Sequence, residues 1–149
     1  MENTARKITR DAHLEYLSDF RKFIEKNCDL VHVDDELKYD LVLAVDEACT
    51  NIIMHGYEGV TTGQITVMFG TNKEQLRITI SDSGRPFDPD HAPLPDFLSP
   101  AQDRPIGGLG VYLLKLIADE VLYETNQDDM NYLTLIKNYS SSGGNQQQS

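Results

Sequence analysis

Two short segments in which apolar and polar residues alternate constrain the fold more than any other feature of this sequence. Residues 64–69 place Ile65, Val67 and Phe69 on alternate positions, and residues 75–80 repeat the pattern. A period of two predicts strands that are buried on one face. Because only the short link GTNKE separates them, the two strands are predicted to form an antiparallel hairpin with helices covering its apolar face.

Helices with matching apolar stripes are predicted on the N-terminal side of this hairpin. Residues 11–27 carry apolar side chains at three- and four-residue steps, after a short edge strand over residues 5–10. A second helix is predicted from an aspartate cap, Asp34 or Asp35, to about Tyr57. Both helices are long enough to cover a small sheet.

The C-terminal part of the chain completes the pattern. A third helix is predicted over residues 108–119, and two final strands over residues 120–125 and 132–137. All six prolines lie within residues 86–105, so a long loop precedes the third helix, and such loops are usually functional. The element order predicts an α+β fold, a two-layer sandwich with a mixed, mostly antiparallel sheet and helices on one face.

Length and charge limit the classes of protein to which the chain can belong. Its 149 residues predict one domain over residues 1–138, with a polar tail over residues 139–149 that is expected to be disordered. The formal net charge of −11 argues against a nucleic-acid partner. No apolar run suits a membrane span and the first residues have no signal-peptide core, so a cytoplasmic location is expected. The two cysteines, Cys28 and Cys49, are interpreted as buried, reduced thiols.

A carboxylate and an amide stand one turn apart on the predicted second helix. Glu47 and Asn51 are four positions apart, so they share a helical face. Their oxygens are suited to holding a hard cation or ordering a water, and magnesium needs few protein ligands because it keeps several waters. Taken alone, the same spacing also describes an ordinary solvent-facing pair.

Two further motifs are suited to binding a nucleotide. Asp82 and Gly84 follow the second strand of the hairpin, where a carboxylate can accept from the exocyclic amine of adenine and a glycine permits close approach. The glycines of GGLG, residues 107–110, precede the third helix, where backbone N–H groups can point at an anion. Alone, the first motif also describes an Asx turn and the second a flexible joint.

In this order, the motifs resemble those of the GHKL ATP-binding superfamily, and within it those of bacterial anti-sigma-factor serine kinases. The resemblance is carried by VDEACTNIIMHGYEG (45–59), ISDSGRPFDP (80–89), GGLGVYLLKLIADEV (107–121) and NYLTLIK (131–137). It implies the Bergerat ATP-binding fold, with ATP and Mg²⁺ as cofactors. The sequence departs from many members at Pro86, where the box that begins at Asp82 often has a second glycine.

The resemblance also implies roles for the matching residues on the second helix and at the end of the hairpin. Asn51 would coordinate magnesium, and Glu47 would be the catalytic base that takes the proton of a substrate serine. Asp82 would bind the adenine amine, and Gly84 would leave room for the base.

The remaining implied contacts lie nearer the C-terminus. Arg104 would contact a phosphate, because a guanidinium matches phosphate oxygens. Gly108, Leu109 and Gly110 would lie against the phosphates. Thr134, on the last strand, would lie behind the adenine.

The function that the resemblance implies is that of an ATP-dependent protein serine/threonine kinase acting as an anti-sigma-factor-like regulator. Its substrate would be a serine of a STAS-type antagonist in partner switching, and it would also hold a sigma factor or another regulator. A homodimer is expected, with no nucleic-acid or membrane partner. Three alternatives stay open: a non-catalytic ATP-binding module that sequesters a protein, the catalytic half of a histidine kinase with His13 as acceptor, and an acidic domain without a nucleotide.

Overall fold

A five-stranded antiparallel sheet forms one layer of the molecule. The computed structural model describes residues 4–56, 63–84 and 114–138. The strands are β1 (Thr4–Asp11), β2 (Gln64–Thr71), β3 (Gln75–Asp82), β4 (Glu120–Thr125) and β5 (Asn131–Asn138). Their order is β1-β2-β3-β5-β4, and all four pairings are antiparallel. The predicted hairpin is therefore confirmed, and within the described strands the sheet is wholly antiparallel.

The helices α1 (Leu17–Leu30) and α2 (Asp35–Asn51) lie in the second layer. The side chain of Asp34 caps α2 by accepting from the Leu37 amide at 2.8 Å. The helix then continues as a π-helical turn, Ile52–Gly56. The predicted second helix is thus confirmed over most of its length, with a wider last turn that the sequence pattern did not indicate.

The first helix begins later than the sequence predicted. Asp11 is the last residue of β1, and the Ala12 amide still bonds to the Gly63 carbonyl at 2.9 Å. A 3₁₀ turn, Leu14–Tyr16, then leads into α1. The prediction of a helical start at residue 11 was wrong because pairing with β2 holds this part of the chain extended, a non-local effect that helical periodicity does not reveal.

The hydrophobic core lies between the helices and one face of the sheet. Alternate residues of each strand point to that face, and they meet the apolar stripes of α1 and α2. The core is formed by Phe20, Ile24, Cys28, Leu41, Ala44, Val45, Ala48, Cys49, Ile65, Val67, Phe69, Leu76, Ile78, Ile80, Leu114, Leu133 and Leu135. Both cysteines are buried and free, and burial raises the pKa of Cys28 to about 12, as expected of unreactive thiols.

Part of the prediction falls outside the described residues. Of the predicted third helix, only residues 114–119 are described; residues 114–117 are helical and residues 118–119 are not. The proline-rich segment 86–105, the glycines of residues 107–110 and the tail 139–149 lie outside. Within the described ranges, no helix is long and apolar enough to cross a membrane.

We expect Phe20→Ala to lower the free energy of unfolding by about 3–5 kcal/mol, because it removes a ring that is 0% exposed between the two layers. Leu14→Ala is the matched control, since Leu14 is 54% exposed, and it should change stability by less than about 0.5 kcal/mol. Urea unfolding followed by circular dichroism measures both. Equal effects of the two substitutions would contradict the core described here.

Candidate functional site

Asp82 ends β3 on the face of the sheet that the helices cover. It follows Leu76, Ile78 and Ile80 at steps of two along the strand, so its side chain points to the side of the core. The residue is only 6% exposed. Its Oδ1 atom accepts from the Gly84 amide at 2.8 Å, closing the Asx turn that the sequence analysis gave as the alternative reading of this motif.

Asn131, the first residue of β5, is the second partner of Asp82. The two residues are directly paired across the strands, and Asn131 Nδ2 donates to Asp82 Oδ1 at 3.0 Å. The same nitrogen donates to the Gly84 carbonyl at 2.9 Å. The sequence analysis did not single out Asn131, because its contact with Asp82 depends on the register of two strands whose residues are 49 positions apart.

The surroundings of Asp82 act on its charge in opposite directions. Burial raises the pKa of the carboxyl group above its ordinary value, and the hydrogen bonds from Asn131 and Gly84 partly offset that rise. A carboxylate that is kept buried at this cost is a common mark of a binding site. Among the described residues no hydrogen bond reaches Oδ2, so this oxygen can accept from a ligand.

Glu47 and Asn51 occupy the last turns of α2, one turn apart, as the sequence predicted. Both are half-buried. Asn51 Oδ1 is buried and has no hydrogen-bond partner among the described residues. A buried amide oxygen without a partner costs free energy, typically about 1–3 kcal/mol, so this atom is suited to bind a cation, a water or a ligand group. The π-helical turn begins at the next residue, Ile52, and such turns are frequent at functional sites.

The charge of Glu47 is also influenced by its environment. Burial is the main cause of the raised pKa of its carboxyl group, and the neighbouring carboxylate of Asp46 adds to it. Asp46 is itself held by Arg21 of α1, with Nη1 and Oδ1 2.8 Å apart. A glutamate with a raised pKa is a stronger base than usual, which suits it to accept a proton near neutral pH.

The end of β3 and the C-terminal half of α2 adjoin each other. Burial raises the pKa of the Cys49 thiol on α2, and the carboxylates of Asp46 and Asp82 raise it further. Asp82 therefore lies within electrostatic range of the helix that carries Glu47 and Asn51. The structure thus brings four of the predicted residues, Glu47, Asn51, Asp82 and Gly84, to adjoining elements.

Thr134, the remaining described residue of the predicted site, lies away from Asp82. It lies on β5 directly opposite Thr79 of β3, and the two hydroxyls are 3.3 Å apart. Because side chains alternate along a strand, Thr134 points to the other face of the sheet from Asp82 and Asn131. The adenine contact predicted for Thr134 stays a prediction that this geometry does not support. Arg104, Gly108, Leu109 and Gly110 lie outside the described residues.

Comparison with known proteins agrees with this fold. The family model described as "histidine kinase-like ATPase domain" matches residues 11–137. A crystal structure of RsbU and RsbW domains from Mycobacterium tuberculosis superimposes with a TM-score of 0.64, at 18% identity, over 90% of this chain and 32% of that one. The predicted α+β, two-layer fold of this ATPase class is confirmed. ATP is therefore the nucleotide of this domain, as predicted.

Several curated relatives are described as "serine-protein kinase RsbW". The protein of Bacillus velezensis is 33% identical over 68% of this chain and 74% of its own length. That of Bacillus subtilis is 32% identical over 72% of this chain and 76% of its own, and that of Bacillus licheniformis is 38% identical over 55% and 54%. The chain belongs to this family of serine-protein kinases, and the predicted assignment to protein serine/threonine kinases is confirmed.

The raised pKa of Asp82 predicts how stability depends on this residue. The pKa of this carboxyl group is higher in the folded than in the unfolded state. The ionised group therefore destabilises the fold at pH values above the folded pKa, and this penalty disappears as the pH falls through that pKa. We therefore expect Asp82→Asn, which keeps an acceptor for Gly84 and Asn131, to raise the urea midpoint at pH 7.5.

The expected gain should shrink as the pH is lowered toward the ordinary pKa of an aspartate. Asp128→Asn in the exposed turn before β5 is the control, and it should change stability by less than about 0.5 kcal/mol. A loss of stability for Asp82→Asn at pH 7.5 would contradict the assigned cost of burying this charge.

Proposed function

We propose that this kinase binds Mg-ATP between α2 and the end of β3 and transfers the γ-phosphoryl group to a serine of a partner protein. The observation that carries the site is the buried Oδ1 atom of Asn51, which has no hydrogen-bond partner in the part of the chain that the structure describes. Glu47 lies one turn earlier on the same helical face, and Asp82 lies within electrostatic range of that helix. A metal ligand, a general base for proton transfer and a carboxylate that recognises adenine are then within one region.

Asn51 suits magnesium because this cation takes oxygen ligands and completes its shell with water and phosphate oxygens. Among the described residues no group of three His, Cys, Asp or Glu forms a metal centre, so the ion would rely on the nucleotide and water for its other ligands. When bound, magnesium supplies neutralisation of the phosphate charge. The buried Asn51 Oδ1 atom would hold it in place.

Glu47 is the residue that we assign to proton transfer. The serine Oγ forms a bond to the γ-phosphorus, the bond between that phosphorus and the bridging oxygen of ADP breaks, and the Oγ proton passes to the Glu47 carboxylate. The raised pKa of Glu47 favours that last step. Since phosphoryl transfer depends mainly on positioning and charge, the base contributes only part of the rate.

Asp82 and Gly84 would recognise the adenine. The two hydrogen bonds to Asp82 Oδ1 leave Oδ2 to accept from the exocyclic amine. Guanine has a carbonyl oxygen at the equivalent position. This oxygen and the carboxylate are both acceptors, so no hydrogen bond would form between them. Gly84 has no side chain to obstruct the base, and its backbone is held by both Asp82 and Asn131.

The remaining parts of the proposal rest on the sequence motifs. Arg104, Gly108, Leu109 and Gly110 would contact the phosphates. Residues 1–138 would form the kinase domain and residues 139–149 a disordered tail. The proposed setting is cytoplasmic, and the proposed oligomer is a homodimer.

The partners that we propose are those of a partner-switching regulator. The phosphorylated protein would be a STAS-domain antagonist, and the alternative partner would be a sigma factor or another regulator. The chain has a net charge of −11, which favours partners with basic contact surfaces. The charge gives no support to nucleic acid as a partner.

Glu47→Gln should reduce phosphoryl transfer by roughly 10²–10⁴-fold, because the amide cannot take up the serine proton, while ATP binding persists. The measurement is transfer of labelled γ-phosphate to a STAS protein of the same organism, at several pH values. The wild-type rate should fall as the pH drops through the raised pKa of Glu47. Glu25→Gln, on the exposed side of α1, is the matched control.

The outcome of this assay also distinguishes the two candidate functions. If Glu47→Gln transfers phosphate as fast as the wild type, the assignment of the base is wrong. If the wild type binds both ATP and the STAS protein without any transfer, the chain is instead a non-catalytic ATP-binding module.

Asn51→Ala should weaken binding of ATP in the presence of magnesium by about tenfold or more, since it removes the oxygen that faces the ion. Isothermal titration with and without EDTA measures the effect. In EDTA the variant and the wild type should bind ATP alike, because the lost contact is to the metal. An equal loss in both conditions would show that Asn51 acts on the helix and not on magnesium.

A further inference from the structure

We propose that Asn131, itself held by Thr125, is a positioning residue that orients the Asp82 carboxylate for recognition of adenine over guanine. The inference rests on the proposed ATP site and adds to it two residues of β4 and β5. Three strand ends are involved. Thr125 is the last residue of β4 and Asn131 the first of β5, and Asp82 is the last residue of β3.

The side-chain amide of Asn131 has a single orientation that satisfies its neighbours. Its nitrogen donates to Asp82 Oδ1 at 3.0 Å and to the Gly84 carbonyl at 2.9 Å. Its oxygen accepts from Thr125 Oγ1 at 2.7 Å. A flipped amide would place an oxygen against two acceptors, so the Thr125 hydroxyl and the two acceptors together fix which end of Asn131 faces Asp82.

These contacts also determine which oxygen of Asp82 faces outward. Asp82 Oδ1 is held by two donors, Asn131 and the Gly84 amide, which prevents rotation of the carboxylate. Oδ2 is then the oxygen that is left for a ligand. Because Asn131 also bonds to the Gly84 carbonyl, the turn that borders the adenine position is fixed by the same side chain.

Burial strengthens this arrangement. Asn131 is 2% exposed and Asp82 6%, and hydrogen bonds to a charged group are worth more in such a low-dielectric environment. A donor to a buried carboxylate favours the ionised form. Without Asn131, only the Gly84 amide would offset the effect of burial on the pKa of Asp82. The carboxylate would then take up a proton at higher pH and lose its capacity to accept through Oδ2.

The groups that face Asp82 allow the effect of Asn131 on the pKa of Asp82 to be measured separately. Its neighbours across the sheet are Ile65 on β2, which is apolar, and Asn131 on β5. On α2 the Asp82 carboxylate contributes to the raised pKa of the Cys49 thiol, which stays neutral between pH 5 and 8. Glu47 and Asp46 on α2 are common to all the variants below, so they cancel in a comparison.

The test compares Asn131→Leu, which keeps the side-chain size and removes the amide, with Thr125→Val and Thr125→Ser. Thr79→Val is the matched control, because its hydroxyl bonds to Thr134 on the other face of the sheet. The measurements are dissociation constants for ATP and GTP by isothermal titration from pH 5 to pH 8, together with urea unfolding of each protein.

We expect Asn131→Leu to lower the preference for ATP over GTP by about tenfold and to move the acidic loss of ATP affinity to higher pH. Thr125→Val should do the same to a smaller extent, Thr125→Ser should restore wild-type behaviour, and Thr79→Val should leave both readouts unchanged. Thr125→Val keeps the comparison usable if Asn131→Leu does not fold, since it leaves the contact to Asp82 in place.

Other outcomes would overturn the inference. If Asn131→Leu and Thr125→Val weaken ATP and GTP equally with no change in the pH profile, Asn131 is a structural link between strands only. If the wild type binds ATP with selectivity and both variants keep it, the positioning role is wrong while the proposed site stands. If the wild type binds ATP without any dependence on Asp82, tested with Asp82→Asn, the proposed site itself is wrong.

Discussion

In the part of the chain that the structure describes, the helices cover one face of an antiparallel sheet, and the rest of the structure depends on this constraint. Side chains alternate between the two faces of each strand, and α1 and α2 pack against one face alone. Every strand residue at an even number of positions from a core residue of the same strand therefore points toward the helices. Asp82 and Asn131 occupy such positions. Two polar side chains at the ends of apolar strands are therefore buried on the side of the helices.

Burial of polar groups at this end of the sheet is the main cost of the site. The Asp82 carboxylate carries a raised pKa, and Asn51 Oδ1 is left without a partner among the described residues. Both features disfavour folding and both suit a ligand that supplies a donor or a cation. Among the described residues, these two atoms lie in the region proposed for the nucleotide.

Much of the fold could be predicted from local patterns. The alternation at Ile65, Val67 and Phe69 predicted β2, and the stripe through Leu41 and Val45 predicted α2, because hydrophobic periodicity directly reflects which face is buried. The start of α1 could not be predicted in this way. The bond between Ala12 and Gly63 that keeps the chain extended joins two segments far apart in sequence.

The residues of the candidate site likewise fall into those that local sequence predicts and those that depend on tertiary structure. The sequence by itself determined that Glu47 and Asn51 share a helical face, because that follows from four-residue spacing, and that Asp82 and Gly84 form a turn, because that is a local hydrogen bond. Only the tertiary structure decided that Asn131, and not Thr134, lies beside Asp82. The register between β3 and β5 determines which residues of β5 share a face with Asp82, and a register is a property of two paired strands that neither strand carries alone.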